Sequence, residues 1–393
     1  MAAVPCNFLI IIVIDSICVS NLNAQKNNYI FEMDYLRGLA ILLVISVYVS
    51  SVFTGMNATS FLYFLYISID TFSEAAVPLF IFISGFVLFL NYQRNFSLVT
   101  FYKKRFLSVV PQYLIFSTFY LVFFMCLTYL NLQYQTGPVT FSLKDIFYDY
   151  LTGNASFQLW FFTLIIQLYI VYPLLAYFCR TIFLSKTQTG VFLCILFLIP
   201  FFQHNGFFDF FWNSGLIFLE FLFYFILGMY VSSKYYDIKD FIHKLSLKTF
   251  LIPLLFFNIL GVFFSIGKED PEYIQSIGSP SFITLGTRIF SFFEPVFYGI
   301  IFLLLFVLVL NLDETEFFSK CLRRLGDLSF GIFLIDVMYI TLIPVIAEEF
   351  NFTFNNYLYY PIVFLSTLIL SVVSILVIRK LPFSEYIVGK IRD

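Results

Sequence analysis

Charge is scarce in this chain. Only 12% of its 393 residues are Asp, Glu, Lys or Arg, while 61% are hydrophobic. A soluble domain of that length has no way to hide so much apolar surface, so the composition excludes one and leaves a polytopic membrane protein. An excess of one sign is missing too. The net charge of −2 provides neither a basic face for nucleic acid nor a basic tail for anionic lipid. Cysteine is sparse, and the six present (Cys6, Cys18, Cys126, Cys179, Cys194, Cys321) are scattered, mostly within apolar runs. Their spacing matches neither a disulfide framework nor a metal site. Histidine is as rare as tryptophan, with two of each; His204 falls in an outer connecting segment and His243 in a basic one. Internal repeats and low-complexity tracts are lacking as well.

What the chain has in abundance is apolar and aromatic residues, 58 Phe and 27 Tyr among them, read as core and interfacial girdle. Hydropathy places about ten spans, roughly at 38–55, 71–91, 106–131, 157–179, 188–202, 215–232, 249–266, 289–311, 329–347 and 357–378. With Arg37 on the cytoplasmic side, all but three of the 22 basic residues fall in cytoplasmic segments. The three are Lys144, Lys268 and Arg288, and the outer loop after Gly267 is acidic instead (Glu269, Asp270, Glu272). The expected architecture is therefore an all-α membrane bundle of about ten helices with both termini cytoplasmic. Residues 1–30 read as an N-terminal extension and 31–393 as one transmembrane domain. Within the extension, the apolar run Asn7 to Ser20 is interrupted by Asp15. It reads as a weak signal peptide, an extra short helix, or translation from a start upstream of Met33. Cleavage is the disfavoured reading, since it would put Arg37 outside.

The stretch Phe31 to Ser51, FEMDYLRGLAILLVISVYVSS, opens with charge and runs straight into a span. Arg37 and Tyr48 lie eleven residues apart, three turns and about 16 Å along one helical stripe. A cation at the cytoplasmic edge and a polar ring near mid-membrane suit a site that takes an anionic donor from one side. Carboxylates within or beside apolar runs, Asp336, Glu294 and Glu220, are costly to bury and are functional candidates by default. Arg105, with Lys103 and Lys104, reads on its own as an ordinary positive-inside anchor.

Five further blocks follow that first helix. They are VPLFIFISGF (Val77 to Phe86), FYKKRFLSVVPQY (Phe101 to Tyr113), LWFFTLIIQLYIVYPLL from Leu159, EFLFYFILGMY (Glu220 to Tyr230) and LGDLSFGIFLID (Leu325 to Asp336). In this order the chain resembles the acyltransferase 3 family from about residue 30 onward. These are integral membrane enzymes that move acyl groups from cytoplasmic acyl-CoA to sugars and other envelope acceptors. The resemblance implies a donor-binding role for Arg37, for Arg105 as the first Arg of an Arg-x-x-Arg pair, and for Trp160. It also implies a His eleven residues beyond the first-helix Arg and another after SFGIFLI. Those positions hold Tyr48 and Asp336, and Ser108 stands at the second Arg.

A family His would serve as general base or acyl relay. A phenol, with an ordinary pKa of about 10, is a poor base but can donate to a thioester oxygen or oxyanion. The catalytic set expected is thus Arg37, Tyr48, Asp336 and Glu294, with a carboxylate as base. The implied activity is transfer of an acyl group, acetyl in the first instance, from acyl-CoA to a hydroxyl of an envelope carbohydrate or glycolipid at the plasma membrane. The expected partners are acyl-CoA as donor substrate, the glycan or lipid-linked sugar acceptor and the bilayer. No resident cofactor, metal or nucleic acid is expected. The changes at Tyr48, Ser108 and Asp336 keep a second reading open, a catalytically inactive member working in polysaccharide export, flipping or scaffolding.

Overall fold

The computed structural model describes residues 30–52, 56, 60–92, 96–130, 132, 142–199, 202, 216–269 and 280–389. The apolar run from Asn7, Lys26, His204, and Asp270 and Glu272 of the acidic loop lie outside the described residues. Within them every regular element is helical and no strand occurs. In chain order the helices are α1 (Glu32–Ser50), α2 (Phe61–Ser73), α3 (Ala76–Tyr92), α4 (Leu98–Leu107) and α5 (Val110–Tyr129). They continue as α6 (Leu143–Thr152), α7 (Trp160–Ile182), α8 (Lys186–Phe197), α9 (Phe218–Ser233) and α10 (Tyr235–Ile242). The last are α11 (Lys248–Glu269), α12 (Pro280–Leu310), α13 (Phe317–Glu349), α14 (Tyr359–Ile378) and α15 (Ser384–Val388).

Seven helical stretches are long and apolar enough to cross a membrane: α1, α2 with α3, α4 with α5, α7, the Phe292–Leu310 part of α12, α13 and α14. Three shorter apolar helices, α8, α9 and Lys248–Phe263 of α11, stand where the other expected spans fall. Serines start the helices at their polar ends. Ser60, Ser97, Ser142 and Ser185 each accept a hydrogen bond from the backbone N–H three residues on, using a donor the helix cannot satisfy itself.

The second expected span, 71–91, is broken at Glu74 and Ala75. Pro78 explains the break: it has no N–H for the carbonyl four residues back, that of Glu74, and its ring crowds that carbonyl. The outer connection after α5 likewise contains a helix, α6, closed by Gly153 at φ 84°.

Two helix pairs come into backbone contact through glycines facing each other's carbonyls. A Cβ on Gly38 would sit 2.2 Å from the Leu322 carbonyl oxygen, and one on Gly326 2.0 Å from that of Asp34, which joins α1 to α13. A Cβ on Gly85 would sit 2.1 Å from the Phe225 oxygen, and one on Gly228 2.0 Å from that of Phe82, which joins α3 to α9. Between such crossings the space is filled with rings. Phe101 stacks on Tyr172 with centroids 5.2 Å apart. The buried Tyr172 and Tyr120 hydroxyls donate to the carbonyls of Leu88 at 3.0 Å and Leu334 at 2.8 Å.

Gly228→Ala is expected to force α3 and α9 apart and destabilise the protein by about 1–3 kcal/mol, a loss of several degrees in the melting temperature of the purified protein. Gly190→Ala, at a glycine with no atom within 4 Å of the added Cβ, is the matched control. It should cost nothing and can gain up to about 1 kcal/mol from helix propensity.

Candidate active site

Three cavities lie along α1. The first, of about 220 Å³, contains Arg37 together with Ser84, Tyr169, Ser329 and a wall of phenylalanines. The second, of about 300 Å³, contains Tyr48, Trp160, Glu74, Glu220 and Glu294. The third, of about 330 Å³, also borders Tyr48 but is otherwise largely apolar. Arg37 and Tyr48 therefore face different cavities, where the three-turn spacing led one to expect a shared hollow.

The first two cavities follow one another along the same helices. On α3 the change falls between Pro78 and Phe80, and on α7 between Trp160 and Phe161. The rings of Phe80, Phe161 and Phe333 close the Arg37 cavity on that side, with centroids 6.2 Å apart for Phe80 and Phe161 and 5.2 Å for Phe161 and Phe333. This order also gives directions. Residue numbers rise on α1 from the Arg37 cavity to Tyr48 and fall on α3 and α7. They rise again on α13, from Ser329 beside Arg37 to Ile340 and Pro344 beside Tyr48. α1 and α13 thus run one way past the cavities, and α3 and α7 the other.

At the Arg37 end the first turn of α1 supplies its own counterions. Arg37 donates through Nη1 to Asp34 Oδ1 at 2.8 Å, and Glu32 takes the Lys239 ammonium at 2.6 Å, tying α1 to α10. Arg105, in the last turn of α4, lies over the rings of Tyr92 at 5.0 Å and Tyr169 at 5.9 Å, a cation–π arrangement. Tyr169 also lines the Arg37 cavity, so the two arginines approach it from different helices. Ser108 uses its hydroxyl on the Arg105 carbonyl at 2.8 Å. Arg180, which sequence reasoning passed over as a flanking basic residue, reaches the same neighbourhood and donates to the Tyr92 carbonyl at 3.0 Å.

The Tyr48 cavity is built from two matching pieces. Glu220 with Tyr224 on α9 and Glu294 with Tyr298 on α12 are both spaced i, i+4, so each pair projects from one helical face. The shared pattern is legible as E-x-x-F-Y in EFLFY and EPVFY, a signal the search for charged partners missed. Glu74 joins them from the α2–α3 break, with the Tyr298 hydroxyl 3.4 Å from its Oε2, a long contact. Trp160 packs against Phe221 in the wall of this cavity with centroids 5.8 Å apart, and thus lies with the carboxylates rather than with the arginines.

Asp336 is fully buried and lines none of these three cavities. No side chain among the described residues donates to its oxygens; the nearest donors are the backbone N–H groups of Asp336 and Val337. It lies within electrostatic reach of Tyr48 and Tyr120, and Tyr120 in turn meets the buried amide of Gln158. The Tyr48 ring itself packs edge-on to Phe157 with centroids 4.9 Å apart. The two positions where the sequence departs from the expected histidines are thus neighbours in space.

Several helices of spanning length, enclosing cavities with basic and acidic linings, define a multi-pass membrane protein. The profile of the acyltransferase 3 family, described as an acyltransferase domain, matches residues 30–376. The chain belongs to this family of membrane acyltransferases. Comparison with curated proteins and with solved structures gave no match.

A buried carboxylate without side-chain donors is retained at the expense of stability. Asp336→Asn should therefore melt at the wild-type temperature or a few degrees above it, read by thermal unfolding of the purified protein. A fall of more than a few degrees would mean the carboxylate holds the fold together.

Proposed function

We propose that the chain transfers an acyl group, acetyl in the first instance, from cytoplasmic acyl-CoA to a hydroxyl of an envelope carbohydrate or glycolipid at the plasma membrane. The supporting observation is the pairing, along one helix, of a guanidinium-lined cavity with a carboxylate- and aromatic-lined one. Guanidinium forks suit the phosphates of coenzyme A. Carboxylates accept hydrogen bonds from sugar hydroxyls, and Trp160 offers a ring face to sugar C–H groups. In this reading the chain crosses the membrane ten times, the three shorter apolar helices included, with both termini cytoplasmic.

The acceptor hydroxyl oxygen attacks the thioester carbonyl carbon as Glu294 takes the hydroxyl proton. The Tyr48 O–H donates to the carbonyl oxygen while it carries negative charge. The C–S bond then breaks, the new C–O bond remains, and the proton passes to the departing thiolate. Asp336, set back from the cavity and receiving no hydrogen bond from Tyr48, acts on that hydroxyl only through its electrostatic influence. Arg37, with one N–H on Asp34, keeps further donors for a phosphate. The alternative, a member without catalysis acting in glycan export, flipping or scaffolding, draws on the separation of Arg37 and Tyr48 into two cavities.

Purified protein in nanodiscs given labelled acetyl-CoA should release free coenzyme A thiol. Arg37→Ala should lower kcat/KM at least tenfold, mainly through KM, in keeping with one charge-assisted hydrogen bond of about 1.5–3 kcal/mol. Glu294→Gln should lower kcat instead. If wild type neither binds nor consumes acyl-CoA while Tyr48→His does, the non-catalytic alternative takes its place.

A further inference from the structure

The third cavity plays no part in the transfer chemistry. Its walls come from α1 (Tyr48, Val49), α5 (Phe124), the segment before α7 (Phe157), α13 (Ile340) and α14 (Val363), and no charged residue lines it. Four hydroxyl-bearing side chains border it, Tyr48, Ser51, Thr341 and Tyr359, and two of them spend their hydrogen on backbone carbonyls. Ser51 donates to the Tyr48 carbonyl at 2.8 Å and Thr341 to the Val337 carbonyl at 2.8 Å, so each satisfies its hydrogen on its own chain segment. The lining presented is mostly methyl groups, methylenes and rings.

Water is a poor occupant of such a space, because a buried water needs two to four polar partners. Emptiness is unfavourable as well, since the walls forgo their dispersion contacts. A hydrocarbon chain meets both conditions. The helices that form the walls also face outward with apolar side chains, as at Val122 and Met125 on α5 and Ile362 on α14. Tyr48 belongs to both this cavity and the carboxylate-lined one. A molecule with a hydroxyl-rich head and an apolar tail would therefore pass the Tyr48 ring with each end in matching surroundings, and tyrosine is suited to such a boundary.

We infer that the third cavity binds the hydrocarbon chain of the acceptor, so that the acceptor is a lipid-linked sugar rather than a free or polymeric carbohydrate. This rests on the acyl-transfer reading for the location of the sugar, and on the cavity itself for the chain. The cavity selects acceptors by their tail, and Thr341 and Val52, both half-buried in its wall, are the residues through which it can be narrowed without touching the carboxylates.

The test uses the full chain in nanodiscs and dodecyl glucoside bearing a diazirine at the chain end as a photoprobe. Crosslinks should map by mass spectrometry to peptides containing Phe124, Phe157 or Ile340. Polyprenyl-phosphate glucose should compete them away, while a large excess of phosphatidylcholine should not. Thr341→Phe and, independently, Val52→Phe should reduce the crosslink at least fivefold, with release of thiol from acetyl-CoA in the presence of methyl glucoside unaltered. Crosslinks elsewhere, indifference to both substitutions, or equal competition by phosphatidylcholine would overturn the inference, the last by assigning the cavity to bulk lipid. A specific crosslink in a protein that never consumes acyl-CoA would leave the lipid-linked sugar site standing and remove the transfer reading alone.

Discussion

Backbone contact between helices, licensed by four glycines, is the constraint on which the rest of the arrangement depends. In a bilayer, two apolar helices gain little by leaving lipid for each other, so close approach has to come from packing of small residues. Gly38 and Gly326 bring α1 onto α13, and Gly85 and Gly228 bring α3 onto α9. These four helices carry Arg37, Tyr48, Ser84, Glu220, Ser329 and Asp336. Once their axes are fixed, the bulky rings at other levels cannot all meet in the middle, and the spaces they leave are the cavities.

Polarity within those spaces follows from local backbone chemistry. Pro78 interrupts the second span and leaves Glu74 at the break, beside the cavity; Pro295 follows Glu294 directly in α12. Two of three acidic side chains thus stand next to residues that cannot complete the helical hydrogen-bond ladder. At the opposite end, the acidic first turn of α1 supplies the carboxylate that orients Arg37. Basic groups at one level and acidic groups at another are therefore properties of where helices start, break and bend.

Much of the fold was legible because a spanning helix announces itself by sheer apolar length, as α13 and α14 do. Basic residues between such runs add a direction. Several cavity-lining residues could be singled out one by one, but not their assembly. Arg37, Tyr48, Trp160, Glu220 and Glu294 all border cavities, yet three whole turns between Arg37 and Tyr48 do not place them in one cavity. Which space a residue faces depends on neighbours such as Phe161, whose position comes from another helix. Glu74 escaped notice because the run around it looked like continuous helix, and only the proline four residues later betrays the break. Asp336 was expected at the reaction centre and lies behind Tyr48, a distinction that linear spacing along one chain cannot express.

The three phenylalanine rings between the arginine and carboxylate levels have an electrical consequence. A layer of aromatic hydrocarbon offers no ligand to a proton or metal cation. An ion moving between the two levels would have to pass Phe80, Phe161 and Phe333 with no ligand from those side chains.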